Sequence, residues 1–427
     1  MCIRNLAIRN IASPYGMTLA SVLLFLVAYT LPPSLYSSYI HEPDLLFLDP
    51  ASLLFFLLCA LGFTLGLALV DLIFPVRSFI KQRKHIRIPP MWFVLFPLVV
   101  GISFALISIV VLLRDNAYLI EILLAAEGEQ LKSGEGLQMN GSISQASPVL
   151  MGIVWWALWR KDEIGLCGWR RFAVHFAIVL GTIAMLVSST LMLSRGELMP
   201  ILAGIAILFL LRSLTEGKLT LASIVRFVVI AACLIVALFV SFSMLRGVTD
   251  SNVFVGNVMG YTVASYNRLA AMLDGRLRYP FSGRGLYFSA FVSFNNIFNN
   301  LFHLNRLFAW PDFNTVWRSE FDAVSAAGLS GGLIWSGTFG YIFSELGWLS
   351  PLLLFVHGLA TGWAWRSFRL GQTAGIVLYP WCAYCTLFWF GTNYMLDPLA
   401  VDLLFVVIIL SFYETLCGHV PKEVASI

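Results

Sequence analysis

Six arginines carry the strongest chemical signal in this chain: Arg195, Arg246, Arg276, Arg278, Arg284 and Arg318. A guanidinium offers a planar fork of N–H donors and keeps its charge at physiological pH, which suits it to phosphate oxygens. Arg195 lies in Ser194-Arg195-Gly196-Glu197, the one polar break in an apolar stretch over 172–212. An arginine at the centre of a membrane span costs about 2.5–3.5 kcal/mol on insertion scales. Two helices joined by a tight outer turn remove that cost, with Gly196 free to turn. In such a turn Arg195 either reaches along the surface to Glu197 or a lipid phosphate, or stands as a fixed cation in an outward-facing cavity. In the second case the amides opening the next helix add to its pull on an anion. Arg246 ends a later apolar stretch at the same depth, and the other four follow within about seventy residues. Together they point to a lipid-linked phosphate or pyrophosphate.

The elements that must position these residues are membrane helices. Of 427 residues, 59% are hydrophobic and only 12% charged, and the mean hydropathy is +0.84. Soluble domains carry roughly 25% charged residues. The chain reads as an all-α polytopic membrane protein of about ten spans, since each crossing needs about 20 apolar residues. They are placed at 17–35, 51–74, 91–113, 145–159, 172–193, 198–212, 223–245, 347–365, 373–392 and 397–416. Lys and Arg favour cytoplasmic loops. Arg77, Lys81, Arg83, Lys84, Arg87, Arg160, Lys161, Arg170, Arg171, Arg366 and Arg369 then lie inside. This puts both termini in the cytoplasm and the arginine turn outside. The first span is read as retained, because no small-residue cleavage site follows it.

Two outer segments exceed ordinary loops. Residues 114–144 begin with a short helix over "NAYLIEILLAAEGEQL" and continue with Gly and Ser. The second, 246–346, is aromatic-rich and divides the chain into 1–245 with seven spans, the outer segment, and 347–427 with three spans. Val255, Val258, Met259, Thr262, Tyr266, Leu269 and Leu273 fall on one helical stripe that Gly275 stops. Phe288, Phe291, Phe294, Phe298 and Phe302 form another, suited to the membrane interface or to packing on the spans.

Other chemistries lack their residues. The cysteines fall in spans or on the inner side, so no disulfide framework is expected, and Cys382-x-x-Cys385 on an apolar helix reads as packing. No metal-ligand cluster and no phosphate-binding glycine loop is legible. The net charge of +4 follows from the basic inner loops and gives no support to nucleic-acid binding.

Two local patterns carry a family likeness: "SRGELMPILAGIAIL", an arginine turn opening an apolar helix, and "GTFGYIFSELGWLSPLLLFVHGLATG", in which Gly337, Gly340, Glu345 and Gly347 alternate small and acidic positions. With its many spans and large late outer segment, the chain resembles bacterial oligosaccharide repeat unit polymerases, the Wzy-type O-antigen polymerase family. The resemblance implies an inner-membrane glycosyltransferase of polysaccharide and lipopolysaccharide biosynthesis that needs no cofactor. Its substrate would be an oligosaccharide on undecaprenyl pyrophosphate, and membrane lipids and a chain-length regulator protein its partners. The arginines would hold the pyrophosphate. The acceptor hydroxyl would need a base, for which His303, Asp312, Glu320, Asp322 and Glu345 are candidates. Trp310, Trp317, Tyr287 and Tyr341 would stack on sugar rings.

Two rivals share much of this pattern. An O-antigen ligase-like transferase differs only in its acceptor. A lipid-linked oligosaccharide flippase or transporter would need a polar path, for which Asp71, His175, His357 and Asp402 are the intramembrane candidates.

Overall fold

The computed structural model describes residues 11–75, 88–125, 146–192, 195–217, 251–287, 301–311 and 313–417, with scattered positions between 220 and 245. Among these residues every regular element is helical. In chain order the helices are α1 (Pro14–Tyr29), α2 (Pro33–Ile40), α3 (Pro50–Ile73), α4 (Pro90–Asp115), α5 (Leu119–Leu124), α6 (Ala146–Glu163), α7 (Gly168–Leu191), α8 (Arg195–Thr215), α9 (Ser251–Leu273), α10 (Leu304–Leu307), α11 (Phe313–Ala326), α12 (Gly337–Leu346), α13 (Ser350–Arg369), α14 (Thr373–Leu387) and α15 (Pro398–Leu416). The aromatic stripe over 288–300 and the stretch 126–145 lie outside the described residues.

Local sequence explains the helix starts. Proline opens α1, α2, α3 and α4, where its missing N–H has no partner to lose. Ser13 caps α1 through Gly16 N, and Asp49 caps α3 through Ala51 N at 2.8 Å. The helix expected from the stripe is present as α9, but from Ala264 to Met272 it is buried on every side rather than along one face, and Gly275 follows its end at φ +75°.

Six described helices or helix runs are long and apolar enough to cross a membrane, and a seventh results if α1 and α2 form one span. The structure differs from the sequence reading in four places, one of them the span expected at 373–392, which is the 15-residue apolar helix α14 and shorter than a crossing needs; the span expected at 223–245 lies mostly outside the described residues. The first expected span bends by 88° between α1 and α2, because Pro32 and Pro33 remove donors and push the chain out of helix. The expected span at 145–159 becomes α6, which continues through Arg160, Lys161, Asp162 and Glu163 and is mostly buried, so it is not among the apolar spans. The eighth begins ten residues early, as α12 runs through a 3-10 turn into α13.

The chain forms two compact units. One takes residues 1–74, 248–362 and 385–401. Its core joins α1, α3, α9 and α12 around Phe25, Phe56, Phe63, Tyr266, Phe339 and Trp389. There α3 and α13 touch backbone to backbone. A Cβ on Gly358 would stand 2.1 Å from Phe63 O, so only glycine permits this approach.

The other unit takes 75–247, 363–384 and 402–427. In it α4, α6 and α7 pack together, with α8 against α6 and α7. Its buried centre is Arg160. Nε donates to Glu414 at 2.8 Å, Nη2 donates to the Thr373 hydroxyl, and Nη1 pairs with Glu163. Cys382 and Cys385 are buried thiols.

Candidate functional site

The first unit holds a cavity of about 230 Å³ lined by Tyr287, Trp317, Glu320, Trp335, Tyr341 and Asn393, with Val316, Ile334, Thr392, Leu396, Asp397 and Pro398 completing the wall. Three of the stretches that build it are pinned by polar contacts.

The 330–335 stretch is held by an ion pair. Arg268 on α9 donates Nη1 to Glu42 Oε1 at 2.9 Å and Nη2 to Glu42 Oε2 at 3.1 Å, and neither side chain is exposed beyond 1%. Glu42 also accepts from Ser330 N at 2.7 Å, and Arg268 donates to the carbonyls of Ser330 and Leu333. Tyr36 and Asn267 complete the network on Glu42. Burial works to raise the Glu42 carboxyl. The Arg268 charge and these bonds outweigh it and hold the group below the usual carboxylate range. Tyr279 adds a bond to Ile334 O, which fixes the wall beside Trp335.

The Tyr287 turn is held by Glu345 on α12, whose carboxylate accepts from Gly285 N at 2.9 Å and Tyr287 N at 2.8 Å. Thr338 on the same helix ties down the third stretch, donating N to Trp389 O and Oγ1 to Thr392 O. Gly337 makes that approach possible. Its φ is +69°, and a Cβ would lie 2.9 Å from Trp389 O.

Glu320 faces this cavity from α11, only 5% exposed. Burial pushes its carboxyl up to about 8, against the opposing pull of the Tyr287 and Tyr341 hydroxyls. Tyr341 donates to Glu320 Oε2 at 3.4 Å, while the Tyr287 oxygen completes no well-formed hydrogen bond of its own. The Tyr287 hydroxyl is itself held well above the ordinary tyrosine value by burial and by the Glu320 charge. Tyr279, Tyr287 and Tyr341 form a ring cluster with centroids 5.5–5.7 Å apart. Asp397, just ahead of the α15 span, accepts from Leu399 N at 2.9 Å. Burial raises it to about 6 despite that bond. One carboxyl is therefore mostly protonated at neutral pH and the other mostly ionised, in a single aromatic-walled hollow. Such a pair can exchange a proton with a bound hydroxyl and stabilise positive charge nearby.

Of the residues named from sequence as bases, the structure brings Glu320 to the cavity and turns Glu345 to backbone amides. Asp322 and His303 are exposed, His303 in the left-handed region at φ 49° ahead of α10. Asp312 lies outside the described residues. Of the aromatic candidates, Tyr287, Trp317 and Tyr341 line the cavity, and Trp310 stacks on Phe308 instead. The arginines do not converge on it. Arg276 is exposed and pairs with Asp274. Arg284 is exposed with its guanidinium 5.7 Å over the Phe281 ring, and Arg278 and Arg318 are exposed. Arg195 opens α8, so Arg195, Gly196 and Glu197 lie in the first turn of that helix rather than in the connecting turn expected at 194–197; residues 193 and 194 lie outside the described residues. The Arg195 side chain and the whole of Arg246 lie outside the described residues. Asp71 accepts from Tyr15 at 2.9 Å, and His175 accepts from Lys161 while bonded to Arg171 O, so both have local roles.

Sequence reasoning missed Asp397, Asn393, Trp335 and the Glu42–Arg268 pair. Arg268 did leave a signal. It sits between Tyr266 and Leu269 on the apolar stripe, and a buried arginine needs an acid. Comparison with family models, with curated proteins and with solved structures finds no match to this chain.

Proposed function

We propose that this chain is a membrane glycosyltransferase that joins lipid-linked oligosaccharide repeat units into a surface polysaccharide. The observation that carries the reading is Glu320, a carboxyl raised to about 8 inside a cavity walled by Tyr287, Trp317 and Tyr341. A base is most effective when its pKa lies near the working pH, and aromatic rings give sugars flat apolar faces. In this reading the acceptor hydroxyl loses its proton to the Glu320 carboxylate as its oxygen bonds the anomeric carbon of the donor. The bond from that carbon to the pyrophosphate oxygen breaks, and the lipid pyrophosphate leaves with the electron pair. Asp397, ionised at neutral pH, stabilises the positive charge that develops at the anomeric carbon.

Among the described residues the cavity wall holds no cation, and in this reading the pyrophosphate stays outside it. The exposed Arg276, Arg278, Arg284 and Arg318 of the same unit then line its approach. The reading adopts ten spans with both termini in the cytoplasm of a bacterium, the cavity on the outer side of the inner membrane, and a chain-length regulator as partner. It requires no cofactor.

A second reading follows from the same residue. A carboxyl that exchanges its proton near neutral pH also suits a proton-coupled transporter of the same lipid-linked glycan. Purified protein in liposomes with lipid-linked oligosaccharide separates the two. Growth of longer glycans without added energy supports the transferase. Movement of substrate across the bilayer with no new glycosidic bond sinks it. In cells, a deletion that loses long chains and keeps single units on the lipid core supports the polymerase, and one that loses both supports the ligase.

A further inference from the structure

Asn393 buries both of its polar side-chain atoms at the cavity wall without giving either a hydrogen-bond partner. The residue is 7% exposed. A buried polar group left unmet is destabilising, and Asn393 has little freedom to relieve it. Thr338 pins Trp389 and Thr392 just before it, and its own carbonyl accepts from Leu396 N at 3.0 Å. The amide is thus held ready, with one donor and one acceptor side by side. A hydroxyl or an acetamido group, each both donor and acceptor, is its complement.

The charge of the wall narrows the ligand further. Among the described residues its ionisable groups are Glu320, Asp397 and two tyrosines, with no Lys, Arg or His. A ligand carboxylate here would meet acids with no cation to offset its desolvation. The volume, about 230 Å³, falls below the roughly 300–1,000 Å³ of drug-sized pockets and suits a single ring.

We propose that this cavity takes an uncharged saccharide ring whose hydroxyl or acetamido substituent is read by Asn393, and that it rejects acidic sugars. The inference rests on the glycan-transfer reading and names the class of its acceptor sugar.

Saturation-transfer NMR on the purified full-length protein in detergent tests it, with methyl glucoside, methyl N-acetylglucosaminide and methyl glucuronide as probes at pH 7. The neutral probes are expected to bind saturably, and the glucuronide at least about tenfold more weakly. Asn393→Ala should weaken neutral binding by about tenfold or more, the equivalent of one lost buried hydrogen bond, at an unchanged melting temperature. Should that variant unfold, Asn393→Ser, which keeps one donor and one acceptor in less volume, gives the same readout. Glucuronide bound as tightly as the neutral probes overturns the inference, as does neutral binding indifferent to Asn393 or absent altogether. Chain growth is scored separately. Neutral binding without chain growth overturns the transferase and keeps this site, whereas chain growth with equal affinity for the acidic probe does the reverse.

Discussion

Glu320→Gln should strip activity from the protein while making it more stable at alkaline pH. The folded carboxyl titrates at about 8, against 4.5 for the ordinary group. Below pH 4.5 both folded and unfolded chains hold the proton, and the site costs nothing. Between 4.5 and 8 the unfolded chain releases the proton and the folded chain keeps it, so stability falls as pH rises. The slope is about 1.4 kcal/mol per pH unit, and the loss above pH 8 is at most on the order of 5 kcal/mol. Glutamine is nearly the same size and never ionises, so it removes that loss. Melting curves in detergent for the native protein and the variant, taken at pH 5, 7 and 9, should diverge steadily in the variant's favour. Chain growth by the variant should fall by about 10²–10⁴-fold, the usual contribution of a general base. Parallel melting points at all three pH values would refute the claim that burial holds the proton on Glu320.

Other outcomes follow from named contacts. Tyr341→Phe removes a hydroxyl that helps ionise Glu320. At about 1 kcal/mol for such a bond, the pH midpoint of chain growth should rise by roughly 0.7 of a unit. A fall in that midpoint would contradict the assignment. Arg268→Met leaves Glu42 buried without its countercharge, which should cost about 3–5 kcal/mol, read as a large drop in melting temperature. An unchanged melting point would show that the pair does not hold the cavity wall. Gly358→Ala forces a methyl against Phe63 O and should cost about 1–3 kcal/mol, whereas Arg318→Ala, on an exposed side chain, should leave the melting temperature unchanged.

Local signals made much of the helical plan legible. The apolar runs marked α3, α4, α7, α8 and α15, and the stripe from Val255 to Leu273 with its glycine stop marked α9. The candidate cavity was half legible. Trp317 and Glu320 stand together in an aromatic, charged stretch that cannot be a span, and Tyr287 and Tyr341 flank glycines near it. Asn393 and Asp397 were hidden because their neighbours in sequence are membrane helices. Only the contact of Gly337 and Thr338 with Trp389 and Thr392 brings them to Glu320, and no periodicity encodes it. The Glu42–Arg268 pair spans 226 positions, beyond the reach of any local pattern. The arginines misled in the other direction. Their residue type suits phosphate, but residue type does not reveal convergence, and the four described outer ones point from exposed turns and helix faces.

The most direct test is the pH profile of chain growth by purified protein on lipid-linked oligosaccharide under saturating substrate. With Glu320 as the base, the rate should climb through a midpoint near 8, and Glu320→Gln should abolish that limb. A rate that is flat or falling between pH 6 and 9, or a glutamine variant that elongates as fast as the native chain, would contradict the account.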